Sequence, residues 1–432
     1  MEYKVFGCKT NRYFAEKWLM HPHLEGKGGY FIASCVVTDK AKAKWLKHAK
    51  RVIPKLEKNQ SLYLSGCGNI RDGVVDPKFY EIYPELSDYR EKIEILPEDP
   101  EDFTLTPEQK KEIMVSKIRK LRSLKKEGIF TRKFLVVQTG CDNFCTFCLT
   151  VQARGRHKWR PIDEILEEIN DFIDGGGKEV VLTGINLGAW GSPSSNDFQL
   201  SKFVELVEVI LRKTTINRLR ISSLGVEFMS DELISLFGKK RINPYVHLSI
   251  QSASSKILKA MNRHYTGDRL REVLEKLRNV KREDGQLLNI GADLIVGFPG
   301  ETEEDFGETK EIVEVFKITQ LHAFPFSAHI DHYHVPAGTY PNQVPNHVIQ
   351  RRLKELLHVG ERTFLSFAEN AIGKEYSVLL ERVNGQNFSG WSENYLYCNE
   401  TNFEVFPGQE LRRGAIIHGI YKSPIIHSNE EG

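Results

Sequence analysis

Cys141, Cys145 and Cys148 stand in the run GCDNFCTFC, a C-x3-C-x2-C triplet that follows the apolar stretch 134–138. Thiolates are ligands for soft metal centres. Three of them on one tight loop can hold three irons of a [4Fe–4S] cluster and leave the fourth iron without a protein ligand. That open iron can chelate the amino and carboxylate groups of a ligand such as S-adenosylmethionine (SAM), and Phe147 stands just before the last cysteine. Zinc is the competing occupant, but its sites more often pair C-x2-C knuckles with a fourth Cys or His.

The chain holds 7 Cys, the remaining four being Cys8, Cys35, Cys67 and Cys398. Cys8, Cys35 and Cys67 each close or follow a short β-like run, at 3–6, 30–34 and 62–65, with helix-forming stretches 11–19 and 39–56 between them. Strand–helix alternation predicts a parallel sheet, whose carboxyl edge gathers ligands. Three thiols converging there are suited to a second cluster with its own open iron. Cys398 reads as a free structural thiol. Charged residues from Glu2 and Lys4 onward leave no apolar signal-peptide region, and no apolar run is long enough to span a bilayer, so a cytoplasmic location and no membrane partner are expected. In that compartment cysteines serve metals or catalysis more often than disulfides.

The triplet at Cys141, Cys145 and Cys148 resembles the signature of the radical SAM superfamily. Together with Cys8 in GCKTN, Cys35 in SCVVTDKAKAK and Cys67 in SGCGN, it resembles the two-cluster pattern of the radical SAM methylthiotransferases. The resemblance covers nearly the whole chain. It implies two [4Fe–4S] clusters, one held by Cys141, Cys145 and Cys148 and the other by Cys8, Cys35 and Cys67. It also implies two SAM molecules per turnover, an electron donor such as flavodoxin or ferredoxin, and a sulfur donor. The chemistry implied is replacement of a C–H bond by a methylthio group, on tRNA or on a ribosomal protein. The segment 180–191, with Gly184-Ile-Asn186, is similar to the branch acting on N6-threonylcarbamoyladenosine at tRNA position 37, where C2 is modified. The wordings 247–252, 261–266 and 297–302 agree with it. The alternatives are the isopentenyladenosine and ribosomal-protein branches or, from another class, a zinc-stabilised RNA-binding protein without catalysis.

The elements that must position these residues follow from periodicity. At 432 residues the chain is too long for one ordinary core, and 40% hydrophobic with 27% charged residues is a globular composition. From 133 onward, strand candidates 134–138, 179–182, 218–222, 245–249, 289–296 and 321–326 alternate with helical patterns. Six such units resemble the partial (β/α)6 barrel of radical SAM enzymes, with the active site at the carboxyl ends of the strands. By the same resemblance Phe147, Thr183, Gly184, Asn186, Ser223, Gln251 and Asp293 are SAM contacts, with Asp293 open to a ribose, substrate or buried structural role. The fold class is α/β: a Rossmann-like methylthiotransferase N-terminal domain at 1–103, a basic linker helix at 104–132, a radical SAM core at 133–368 and a small antiparallel barrel at 372–426. That last unit resembles the TRAM RNA-binding domain.

Three stretches carry further expectations. Residues 81–102 are acidic and hold Pro84, Pro97 and Pro100, which predicts a solvated connection between domains. The run 110–133 is densely basic and reads either as a solvated helix or as a contact for tRNA phosphates. The stretch 328–337 carries His329, Asp331, His332 and His334, where family members have a shorter basic turn; a polar substrate-facing loop is expected over a metal site. Trp391, Tyr395 and Tyr397 read as barrel core or as base-stacking residues.

Overall fold

The computed structural model describes residues 1–102, 131–329 and 334–425. Most of the basic run 110–133 therefore lies outside the described residues. Its last two members are committed elsewhere: Arg132 is buried against Glu381, and Lys133 pairs with Glu168 at 3.0 Å. Among the described residues no helix is long and apolar enough to cross a membrane.

The N-terminal sheet has four parallel strands in the order Glu2–Val5, Gly29–Ser34, Ser61–Gly66 and Ile93–Ile95. Helices Lys9–Leu19 and Asp39–Val52 cross between the first three, and the Thr38 hydroxyl caps the second by accepting from Ala41 N. The acidic stretch is not a solvated connection. Tyr83, Leu86 and Leu96 are buried, and the fourth strand pairs with the third. Most of its charges face outward, the buried Glu98 excepted, while an apolar minority packs down, a division that average composition conceals.

Helix Lys9–Leu19 serves two cores. Tyr13 and Phe14 pack into the central domain, while Ala15 and Trp18 pack under the N-terminal sheet. The apolar residues thus cover both sides of a short helix, and that ties the two units together.

The central domain matches the six-unit expectation. Its strands are Lys133–Thr139, Glu179–Gly184, Arg218–Ile221, Tyr245–Gln251, Asn289–Val296 and Gln320–Pro325, each parallel to the next, with isolated bridges joining the third and fourth. Amphipathic helices, among them Ile162–Asp174, Phe203–Lys213 and Gly267–Arg278, bury Ile165, Leu206, Val207, Leu270 and Val273 against the outside of the sheet. The 24-residue helix Asn346–Glu369 follows.

The C-terminal unit is a five-stranded antiparallel sheet, in the order Tyr397–Asn399, Asn387–Ser392, Glu375–Asn384, Ile416–Tyr421, Phe403–Val405. Cys398 is buried in its core, as a structural thiol should be. The aromatic run is interrupted by a tight turn at 393–396, where Leu396 N donates to Ser392 Oγ and Tyr395 takes a φ of +67°. This turn closes the floor of the barrel. The Tyr395 ring lies 4.4 Å from that of Tyr245 and under the Arg220 guanidinium at 4.1 Å. Tyr395 is therefore a floor residue here, not a core residue of its own sheet, and Trp391 stacks edge-on to both Tyr395 and Tyr397.

Candidate active site

The first cysteine loop begins where strand Lys133–Thr139 ends. Gly140 has a φ of +66°, and a Cβ there would lie 1.8 Å from Arg156 O, so only glycine lets the chain turn beside that carbonyl. Gln138 fixes the turn to the neighbouring strand end. Its Oε1 accepts from Ile185 N at 2.9 Å and Asn186 N at 2.7 Å, while its Nε2 donates to Gly140 O at 2.7 Å.

Each thiol of the loop meets donors. Cys141 Sγ accepts from Asn143 N at 3.4 Å and lies 3.7 Å from Ser195 Oγ. Cys148 Sγ accepts from Thr150 N at 3.4 Å, and Arg263 Nη1 donates to Cys145 Sγ at 3.8 Å. Burial pushes the Cys141 thiol up and the Cys145 thiol up to about 12, the latter against the pull of Arg263. A metal must displace those protons, and the surrounding donors then compensate the thiolates. Arg263 is itself held by Glu227 at 3.2 Å and Ser249 O at 3.0 Å. Phe147 packs with Met261, Phe298 and Ala337 beside the loop.

Cys8, Cys35 and Cys67 converge at the carboxyl edge of the N-terminal sheet. Cys8 is exposed at the start of helix Lys9–Leu19, while Cys35 and Cys67 are buried. Hydrogen bonding with Cys67 holds the Cys35 thiol up, and the same bond, with help from Arg154, lowers the Cys67 thiol. Arg154 pairs with Glu98 at 2.5 Å and donates to Asn11 Oδ1 at 2.9 Å. It ends helix Thr150–Arg154, which begins two residues after Cys148. One short helix therefore runs from the first cysteine loop to the second cysteine group.

The donor sets bear on whether a cluster or a single ion suits each group. Among the described residues, only His247, Asp293 and His322 bring three potential ligand atoms within 4.8 Å of one another. Neither cysteine triplet is that tight. Each triplet supplies three thiols, the donor set of a four-iron cluster with one open iron, whereas structural zinc takes four protein ligands.

The residues expected to meet SAM are distributed as follows. Thr183, Gly184 and Asn186 lie at the end of strand Glu179–Gly184; the Thr183 hydroxyl accepts from Ser222 Oγ at 3.4 Å, and Asn186 Nδ2 approaches Cys141 Sγ at 4.0 Å. Ser223 follows the third strand, and Gln251 ends the fourth with a φ of +67°. Asp293 sits inside the barrel between His247 Nε2 at 3.0 Å and His322 Nδ1 at 3.2 Å. These two histidines, together with Gln138, Arg154 and Arg263, escaped the sequence reading. The wording around Arg263 and His247 was similar to the family's, yet nothing local marks which side chain faces inward.

The histidine-bearing stretch 328–337 is described only at its ends, and Asp331 and His332 lie outside the described residues. His329 is buried and pairs with Asp39 at 3.3 Å, Ser327 bonds the same carboxylate, and His334 O accepts from Gln152 Nε2 at 2.7 Å. Those ends dock on the N-terminal domain and on the helix after the first cysteine loop.

Comparison with known proteins adds independent findings. The model of the radical SAM superfamily matches residues 135–313. A threonylcarbamoyladenosine tRNA methylthiotransferase of Thermotoga maritima is 32% identical over 413 residues, covering 91% of this chain and 89% of its own. The protein of the same description from Rickettsia prowazekii is 30% identical over 391 residues, covering 89% and 88%. A tRNA-2-methylthio-N(6)-dimethylallyladenosine synthase of Rickettsia bellii is 29% identical over 413 residues, covering 88% and 87%.

Proposed function

The chain belongs to the radical SAM methylthiotransferases, enzymes that depend on a [4Fe–4S] cluster and SAM, and on that footing we propose that it methylthiolates C2 of N6-threonylcarbamoyladenosine in tRNA. The observation that carries the two-centre chemistry is the pair of separate cysteine groups joined by helix Thr150–Arg154. Relatives of both tRNA branches support tRNA as the substrate. The segment 180–191 and the threonylcarbamoyladenosine relatives favour that branch over the prenylated one.

Cys141, Cys145 and Cys148 would hold the cluster that meets SAM, and Cys8, Cys35 and Cys67 the cluster that delivers sulfur. When bound, the first cluster would supply the one-electron reduction of SAM on which removal of the C2 hydrogen depends. The chain's part is positional. Gln138 and Gly140 fix the first loop, Arg263 places a positive charge at Cys145, and Arg154 places one at Cys67. Phe147 packs beside the loop as an apolar wall. Such fixed placement supplies orientation before reaction and keeps water from the reacting carbon.

Mass spectrometry of tRNA nucleosides from cells with and without the gene tests the substrate. The reading predicts loss of 2-methylthio-threonylcarbamoyladenosine with its precursor accumulating; loss of the methylthio-isopentenyl nucleoside instead would overturn it. A reconstituted chain should carry about eight irons, two four-iron centres. Cys35→Ala should keep reductive SAM cleavage and lose methylthiolation, whereas Cys145→Ala should lose both.

A further inference from the structure

The barrel lumen holds a polar layer that the cluster chemistry does not use. On the fourth, fifth and sixth strands the inward-facing residues stack in three tiers. Tyr245, Asn289 and Gln320 form the lowest, where Asn289 Nδ2 donates to Asn394 O at 2.9 Å and Gln320 Nε2 to Tyr395 O at 3.3 Å, sealing the floor. His247, Asp293 and His322 form the middle tier. Ile295 and Phe324 stand above, with Phe324 exposed.

The middle tier is built from interlocking parts. Asp293 and His322 face one another across the strand register, and the Tyr245 hydroxyl lies 2.6 Å from His247 Nδ1. Gly291 leaves room for this pair, since a Cβ there would be 2.2 Å from the Tyr245 hydroxyl and 2.6 Å from His247 Nδ1. The buried His247 Nε2 points at Asp293 without a well-formed hydrogen bond. The His322 side chain is 43% exposed; its Nδ1 meets Asp293, and among the described residues its other ring nitrogen has no hydrogen-bond partner.

The height of this tier matters. Ser249 is two residues beyond His247, about 7 Å along the strand. Its carbonyl accepts from Arg263, which also reaches Cys145. An adenine with C2 presented beneath the first cysteine loop can therefore extend its N6 arm into the middle tier. An apolar arm there would strip water from Asp293 and the imidazoles and offer nothing in return. An arm bearing N–H and hydroxyl donors would find acceptors in the open His322 nitrogen and in Asp293.

We propose that Asp293 and His322, backed by His247, form the subsite that receives a polar, hydrogen-bonding arm on N6 of the target adenosine and excludes a prenyl arm. The subsite rests on the substrate reading given above. Its test uses the reconstituted full-length enzyme with two tRNAs, one carrying threonylcarbamoyladenosine and one isopentenyladenosine, and compares kcat and KM for the parent, His322→Phe and His322→Gln. Iron per chain and the thermal midpoint monitor assembly. His322→Phe should lower kcat/KM on the threonylcarbamoyl tRNA about 10- to 100-fold, the worth of one or two lost hydrogen bonds, chiefly through KM. His322→Gln, which keeps a hydrogen-bonding group, should recover part of that loss with unchanged iron. A parent enzyme active on the threonylcarbamoyl tRNA with His322→Phe within twofold of it would overturn the subsite alone. A parent active only on the prenylated tRNA would overturn the substrate reading and the subsite with it. A stoichiometric additional metal in the parent that His322→Phe removes would overturn the subsite in favour of a metal centre, as would loss of iron or folding in both variants in favour of a structural role.

Discussion

Replacing Arg154 by leucine should destabilise the N-terminal domain in a pH-dependent way. The Arg154 and Glu98 side chains are 2% and 7% exposed and 2.5 Å apart, so leucine takes the facing guanidinium away from a buried carboxylate. Removing one member of a buried pair costs about 3–5 kcal/mol. The carboxylate has an escape, because it can take up a proton. For a group with an ordinary value near 4.3, that uptake costs about 4 kcal/mol at pH 7 and about 1 kcal/mol at pH 5. The destabilisation should therefore approach about 4 kcal/mol at pH 7 and shrink by about 2–3 kcal/mol at pH 5. Adding Glu98→Gln to Arg154→Leu removes the buried charge and should recover at least about 2 kcal/mol at pH 7. Denaturant titration of the cluster-free protein under anaerobic conditions, followed by the fluorescence of the buried Trp18 and Trp45, reports on this domain. A single variant within about 0.5 kcal/mol of the parent, below the usual effect of a buried-charge loss, would refute the argument, as would a pH-independent loss or a double variant no better than the single.

Gly140→Ala should prevent assembly of the first centre, because the added Cβ meets Arg156 O at 1.8 Å; iron should fall from about eight to about four per chain. Glu179 carries an acid-lability prediction. Burial works to raise its carboxyl, but Arg220, Arg132 and Arg218 bring it from the usual 4.5 down to about 2. Its contribution is full above pH 4.5 and is lost as pH falls toward about 2, on the order of 3 kcal/mol, and Glu179→Gln should flatten the acid limb of the denaturation curve. Tyr395→Ala should remove the floor contact with Arg220 and Tyr245, cost about 3 kcal/mol, and speed proteolysis between the barrel and the C-terminal sheet; unchanged cleavage would show that the turn does not anchor that sheet.

The cysteine chemistry was legible in the sequence because a metal loop is a local demand: Cys141, Cys145 and Cys148 must lie within one turn of chain, so their spacing records their task. Strand and helix periodicities also survive in one dimension, and the six barrel strands, helix Asn346–Glu369 and the parallel N-terminal sheet follow from them. Assignments that depend on which way a side chain turns did not survive. The acidic stretch 81–102 reads as solvated by composition, yet Tyr83, Leu86 and Leu96 carry it into a core. Tyr395 looks like one member of an alternating strand until a positive-φ turn swings it under the barrel. His247, Asp293 and His322 lie on three different strands and meet only when parallel pairing sets those strands in register. Arg154 finds Glu98 and Cys67 only when helix Thr150–Arg154 docks on the N-terminal domain. Spacing along a chain encodes contacts that the backbone makes with itself over a few residues; contacts between distant segments come from packing, and the tertiary structure alone decided them.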